Sequence, residues 1–207
     1  MKKTLSYALV ALSTISTGVS LLRANNRFNA GTRLGSQTCA NDDSGLKLPP
    51  GFCATAFADN IGHARRTVAA SNGVLYVNNW SGGYYGNDTP HAGGFLVALQ
   101  DKTGSGKADV IERFGETIQT GGHGGTGIGM YRGAIYAEIN DRIARYSLSS
   151  GSIAPSGPAD AVVSGLPLGG DHPMHPFVIG ADGTMYVDVA SATNSCQSQN
   201  RHLDRQA

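Results

Sequence analysis

Charge is scarce in this sequence. Of 207 residues, 15% are Asp, Glu, Lys or Arg, and the formal net charge is +1. With 40% hydrophobic residues, that composition excludes a mostly disordered chain, which would be charge-rich and apolar-poor. It also supplies no basic field for nucleic acid, and basic and aromatic residues are not interleaved in any patch. Outside the first 22 positions there is no uncharged apolar run of about 18 residues, so a polytopic helical membrane protein is excluded. Cysteines are few, and no CxxC or CxxCH occurs, which leaves a zinc ribbon and a c-type haem unsupported. There is no G-x-S-x-G nucleophile elbow and no Walker A motif. No amphipathic helical pattern occurs after residue 25. Glycine, by contrast, is abundant. There are 29 in 207 residues, about 14%, or twice the ordinary ~7%. They fall in short bursts between apolar stretches, without a G-X-Y period, which implies many turns and many short strands. The length points to one domain.

Residues 1–20 read as a secretory signal peptide. Met1-Lys2-Lys3-Thr4 is a positive start, Leu5 to Leu22 carries no charge, and Gly18-Val19-Ser20 offers small residues for cleavage. The Lys-Lys start suggests a bacterial protein exported to the periplasm or secreted. Removing this segment leaves 14 basic against 15 acidic residues, a net of −1. An oxidising compartment gives Cys39, Cys53 and Cys196 meaning. Three is odd, so one thiol lacks an internal partner. The spacing allows a Cys39–Cys53 loop with Cys196 left over, and it allows other pairings. Residues 21–47 are polar and read as a linker.

A weak repeat organises residues 48–196. Gly73-Val74-Leu75-Tyr76-Val77, Gly133-Ala134-Ile135-Tyr136-Ala137 and Gly183-Thr184-Met185-Tyr186-Val187 lie 60 and 50 residues apart. Each is preceded by a short apolar stretch and a turn signal: Ser71-Asn72, Tyr131-Arg132 or Ala181-Asp182. Each copy reads as a β-hairpin whose glycine takes a turn position. Outer strands are expected at Gly94–Leu99 and Arg142–Leu148. Periods near 50 residues, built from strands without helices, predict an all-β fold of propeller blades. Residues 48–196 hold about three such blades, and residues 197–207 are a polar tail. Three blades do not close a ring. The expectation is therefore the front part of a larger propeller, or a chain that self-associates through an open strand edge.

Three motifs carry candidate chemistry. Gly122-His123-Gly124-Gly125-Thr126-Gly127 matches G-x-G-x-x-G, but a hairpin comes after it where a dinucleotide site needs a helix. Asp101, Gly106 and Glu112 fit positions 1, 6 and 12 of a calcium loop, although Thr103 and Ser105 stand where carboxylates are usual and the flanks read as strands. The simpler reading of 101–112 is a Gly-rich surface hairpin. Asp171-His172-Pro173-Met174-His175-Pro176 places two histidines beside an acid at the mouth of the third repeat. Histidine titrates near neutrality and suits a general base.

Leu48-Pro49-Pro50-Gly51-Phe52, the stretch Gly94 to Glu112, Gly121-Gly122-His123-Gly124-Gly125, and Gly170-Asp171-His172-Pro173 on through Gly183 and Tyr186 to Asn194 together resemble the glucose/sorbosone dehydrogenase family. The sorbosone branch is the nearer one. The resemblance spans roughly residues 46–200. It implies a six-bladed β-propeller that oxidises a sugar or sugar aldehyde with pyrroloquinoline quinone (PQQ), passing electrons to an external acceptor. It implies His172 as the general base, because His172 precedes Asp182 of the Asp-Gly turn by the family's ten residues, and His175 does not. Asp171 matches the acid beside the base. His123 stands where the aldose branch has a substrate-side Gln, and Asn194 is a cofactor-side candidate. His175-Pro176-Phe177 replaces the better-known branch's Gly-Arg-Leu, which removes a guanidinium contact. The family's Ca²⁺ polarises the quinone. Its calcium ligands and cationic cofactor ligands come from later blades, so no residue of this chain is assigned as a metal ligand. The alternative is a propeller fragment or binding module without catalysis.

Overall fold

A computed structural model describes residues 43–80, 92–117 and 124–193. The described residues are all-β, with no helix. Strands β1 (His63–Ala69), β2 (Leu75–Trp80), β3 (Leu96–Gln100) and β4 (Val110–Phe114) form one antiparallel sheet in chain order. Strands β5 (Gly124–Tyr131), β6 (Ala134–Ile139), β7 (Arg142–Ser147) and β8 (Asp160–Val163) form a second sheet of the same kind. Strands β9 (Phe177–Ile179) and β10 (Met185–Val187) form a two-stranded third unit. The first strands of the three units are neighbours in space: β5 packs against β1 and β2 on one side and against β9 on the other.

The three expected hairpins are present, and their turns explain the repeated glycine. In the first, Ala70 N–H bonds Val74 O and Gly73 N–H bonds Ala70 O; in the third, Gly180 and Thr184, and Gly183 and Gly180, make the same two bonds. Gly73 and Gly183 have φ of 83° and 90°, the left-handed position of a three-residue hairpin loop. The second hairpin is tighter. Arg132 and Gly133 both have positive φ, 46° and 74°, as a two-residue type I′ turn requires.

The core lies between the first two sheets. Tyr76, Leu96, Ala98 and Phe114 of the first meet Ile135, Ala137, Ile139 and Tyr146 of the second. Phe114 sits edge-on to both Tyr76 and Tyr146. The other face of the first sheet, Val77, Val97 and Leu99, is covered by Phe57, Ala58 and Ile61 from the segment before β1. That segment is tied down by Ala108 N–H to Phe57 O at 2.8 Å, and by Asn79 Nδ2 and Arg113 Nη2 to Ile61 O, both at 2.8 Å. Cys53 in this segment is disulfide-bonded; Cys39 and Cys196 lie outside the described residues.

Some expectations change in detail. The third repeat is described as two strands, not as a full four-stranded unit. β5 begins at Gly124, inside the glycine-rich motif, ahead of the apolar stretch that signals it in the sequence. β8 has no clear sequence signal because its Asp160-Ala161-Val162-Val163 is mostly exposed. No helix among the described residues is long and apolar enough to cross a membrane. Residues 1–20, read above as a signal peptide, most of the segment read as a linker and the segment read as a polar tail fall outside the described residues.

Candidate functional site

The inner strands converge on a cavity of about 310 Å³. β1 contributes Arg65 and Arg66, β5 contributes Thr126, the loop before β9 contributes His172 and Met174, and Asp188 comes just after β10. A second cavity of about 390 Å³ adjoins it and shares Arg66 and Asp188. Of the residues the sequence singles out, His172 is therefore placed on a concave surface with charged and hydroxyl neighbours. Asp171 is half-buried, with its N–H bonded to Ala192 O at 3.0 Å, and does not line this cavity. His123 and Asn194 lie outside the described residues.

The structure separates the two histidines of the motif. His175 is 1% exposed. Its N–H donates to Glu138 Oε1 at 2.6 Å, and its Nδ1 lies 3.4 Å from the same oxygen without hydrogen-bond alignment. His175 thus fixes the loop, and His172, three residues earlier, reaches the cavity.

Glu138 is what the sequence reading missed. It is 2% exposed, and a carboxylate so buried must be bonded. It accepts from His175 N–H with Oε1 and from the Thr126 hydroxyl with Oε2. One side chain therefore joins the strand lining the cavity to the loop carrying His172. Asn78, fully buried, adds a link from the first sheet. Its Nδ2 donates to Gly127 O at 2.8 Å and to Glu138 O at 3.2 Å. A signal was present in the sequence: Asn78, Glu138 and Asp188 each stand five residues after the turn glycine of their repeat.

Arg66 Nε donates to Thr126 O at 3.1 Å, and its terminal nitrogens bond none of the described residues. A guanidinium anchored this way presents donors suited to a carboxylate, so the anionic edge of a quinone tricarboxylate fits this donor set. Among the described residues no group of three or more His, Cys, Asp and Glu could hold a metal ion. In the 101–112 loop, Asp101 Oδ1 accepts from the N–H groups of Thr103, Gly104 and Ser105, and Oδ2 from Gly106 N–H at 2.7 Å. Asp109 closes the other side, accepting from the N–H groups of Lys102 and Thr103. These donors, that of Gly106 foremost for Asp101 and that of Lys102 for Asp109, hold both carboxyls below the usual carboxylate range. The loop is a hydrogen-bonded turn joining β3 to β4.

No protein-family model and no curated protein matches the chain. Two solved structures of a Trichoderma reesei protein of carbohydrate-active enzyme family AA12, a calcium structure and an iodide structure, are similar in fold at 18% identity. Each match has a TM-score of 0.49 and covers 66% of this chain. The chain spans 31% and 32% of the two matched chains.

Proposed function

We propose that the chain carries part of an exported β-propeller oxidoreductase of the sorbosone type, acting on a sugar or sugar aldehyde with a quinone cofactor. The observation that supports this reading is that His172, and not His175, lines the cavity where the first strands of three successive sheets meet. In this reading each sheet is a blade, and the cavity lies at the inner end of the blades. His172 accepts the hydroxyl proton of the substrate. Glu138 keeps the imidazole in place through the loop, and Arg66 holds the anionic edge of the cofactor. When bound, PQQ supplies the two-electron acceptor that no side chain provides.

The test is acceptor-dye reduction by the purified chain with PQQ, with glucose and sorbosone as substrates, and His172→Ala alongside. The reading expects sugar-dependent reduction that falls by about 10²–10⁴-fold, the usual worth of a general base, in the variant. A chain that shows folded β-structure by circular dichroism, yet reduces no dye under any of these conditions, overturns it in favour of a non-catalytic module.

A further inference from the structure

At the end of the inner strands away from His172, the first two hairpins enclose a cavity of about 380 Å³. Residues 69–72 come from the end of β1 and its turn, and residues 130–133 from the end of β5 and its turn. The cavity shares no residue with the one that His172 lines. Thr126 and Tyr131, one at each site, are five residues apart on β5, roughly 16 Å at the usual rise of a strand. The walls are apolar at Met130 and Leu148. Several polar side chains of the lining have bonding capacity to spare. Tyr76 is 1% exposed, yet its hydroxyl bonds none of the described residues, and a buried hydroxyl costs free energy until it is bonded. Asn72 uses Oδ1 to accept from Val74 N–H at 3.3 Å. Its NH₂ bonds none of the described residues, and neither does the Ser71 hydroxyl. Arg132 is the one charged residue of the lining. Its Cζ lies 5.1 Å from the centroid of the Tyr131 ring. Stacking occupies a face of the guanidinium and leaves its in-plane N–H groups for an anion, and they bond none of the described residues. Arg132 also keeps a φ of 46°, at a turn position that Asn or Gly takes at less cost.

We propose that this cavity is a second ligand site, for a small carboxylate carried on an apolar body. Arg132 pairs with the carboxylate, the Tyr76 hydroxyl and the Asn72 NH₂ donate to the ligand's oxygens, and Met130 and Leu148 take its apolar part. The chemistry of the lining selects this class. Every spare group can donate a hydrogen bond, and no carboxylate lines the cavity to compete, so the occupant is rich in acceptors. One guanidinium balances one negative charge. A concave, mostly apolar space with a few convergent polar groups, and of this volume, is the usual form of a small-molecule site.

The test is a titration of the purified chain with benzoate at fixed ionic strength, followed by amide NMR shifts. Saturable shifts are expected in residues 69–72 and 130–133. Arg132→Gln should weaken binding by roughly tenfold or more, and Tyr76→Phe, which keeps the ring, by about three- to tenfold. Benzyl alcohol keeps the apolar body without the charge and should bind roughly tenfold more weakly than benzoate. His172→Ala should leave the affinity unchanged, because the two cavities share no residue. Circular dichroism and melting curves confirm that each variant folds. The absence of saturable shifts overturns the proposal, as do shifts confined to residues 65–66 and 172–174 or an affinity indifferent to Arg132→Gln. Glucuronate binding more tightly than benzoate overturns the assignment of an apolar body.

Discussion

Two buried polar side chains behave oppositely, and each gives a measurable consequence. Glu138 uses both carboxylate oxygens, one for His175 N–H and one for the Thr126 hydroxyl. Glu138→Gln keeps the shape and replaces one acceptor with an NH₂ donor, so the Thr126 hydroxyl must turn to accept and its own proton loses its partner. The expected cost is about 1–3 kcal/mol in chemical denaturation. Tyr146 is the reverse case. Its hydroxyl is buried with no hydrogen-bond partner among the described residues, and burial pushes its phenol well above the ordinary range. Tyr146→Phe removes an unsatisfied group while keeping the ring against Phe114. It is expected to leave stability unchanged or raise it by about 1 kcal/mol. A loss of stability in that variant would show that the hydroxyl has a partner after all.

Among the elements, the third hairpin depends on a missing side chain. A Cβ on Gly127 would lie 2.7 Å from the Phe177 ring and 3.0 Å from His175 O. Gly127→Ala is therefore expected to cost about 1–3 kcal/mol, with the change in amide exchange concentrated in residues 175–187. The β3–β4 loop depends instead on Asp101 and Asp109. Their carboxyls are held low by N–H donors, so their contribution is present above the ordinary carboxylate pKa of about 3.9. It is lost as pH falls through the lower folded-state values. Amide exchange at Gly104 and Gly106 should accelerate in that acid window, and Asp101→Ala should produce the same acceleration near neutrality. Calcium is expected to leave the melting temperature unchanged; a rise on adding calcium would contradict the reading of this loop as a hydrogen-bonded turn.

The hairpins were legible in the sequence because a left-handed turn residue is a hard steric demand that glycine meets locally, as at Gly73, Gly133 and Gly183. β8 was not legible, since an exposed outer strand needs no alternation to hold it in place. Glu138 was hidden for a different reason. A single acid in Ala134–Ile139 looks like a solvent-facing position, and its burial arises only when the loop before β9 closes over it.

For the whole molecule, two four-stranded sheets and a hairpin are stacked through their first strands, and function is assigned to the place where those strands meet. The preference for His172 over His175 rests in the sequence on the resemblance and the spacing to Asp182. The structure gives it a separate physical basis in the burial of His175. The cavity itself could not be read from the sequence, because Arg66, Thr126, His172 and Asp188 come from four segments that only packing assembles. The most direct test tracks the two histidine side chains by NMR in the purified chain. Sugar is added with and without PQQ, and His172→Ala and His175→Ala are used for assignment. The account predicts that His172 resonances shift on ligand addition while those of His175, locked against Glu138, stay near their starting positions. Unchanged His172 resonances under every condition, or a shift confined to His175, would contradict it.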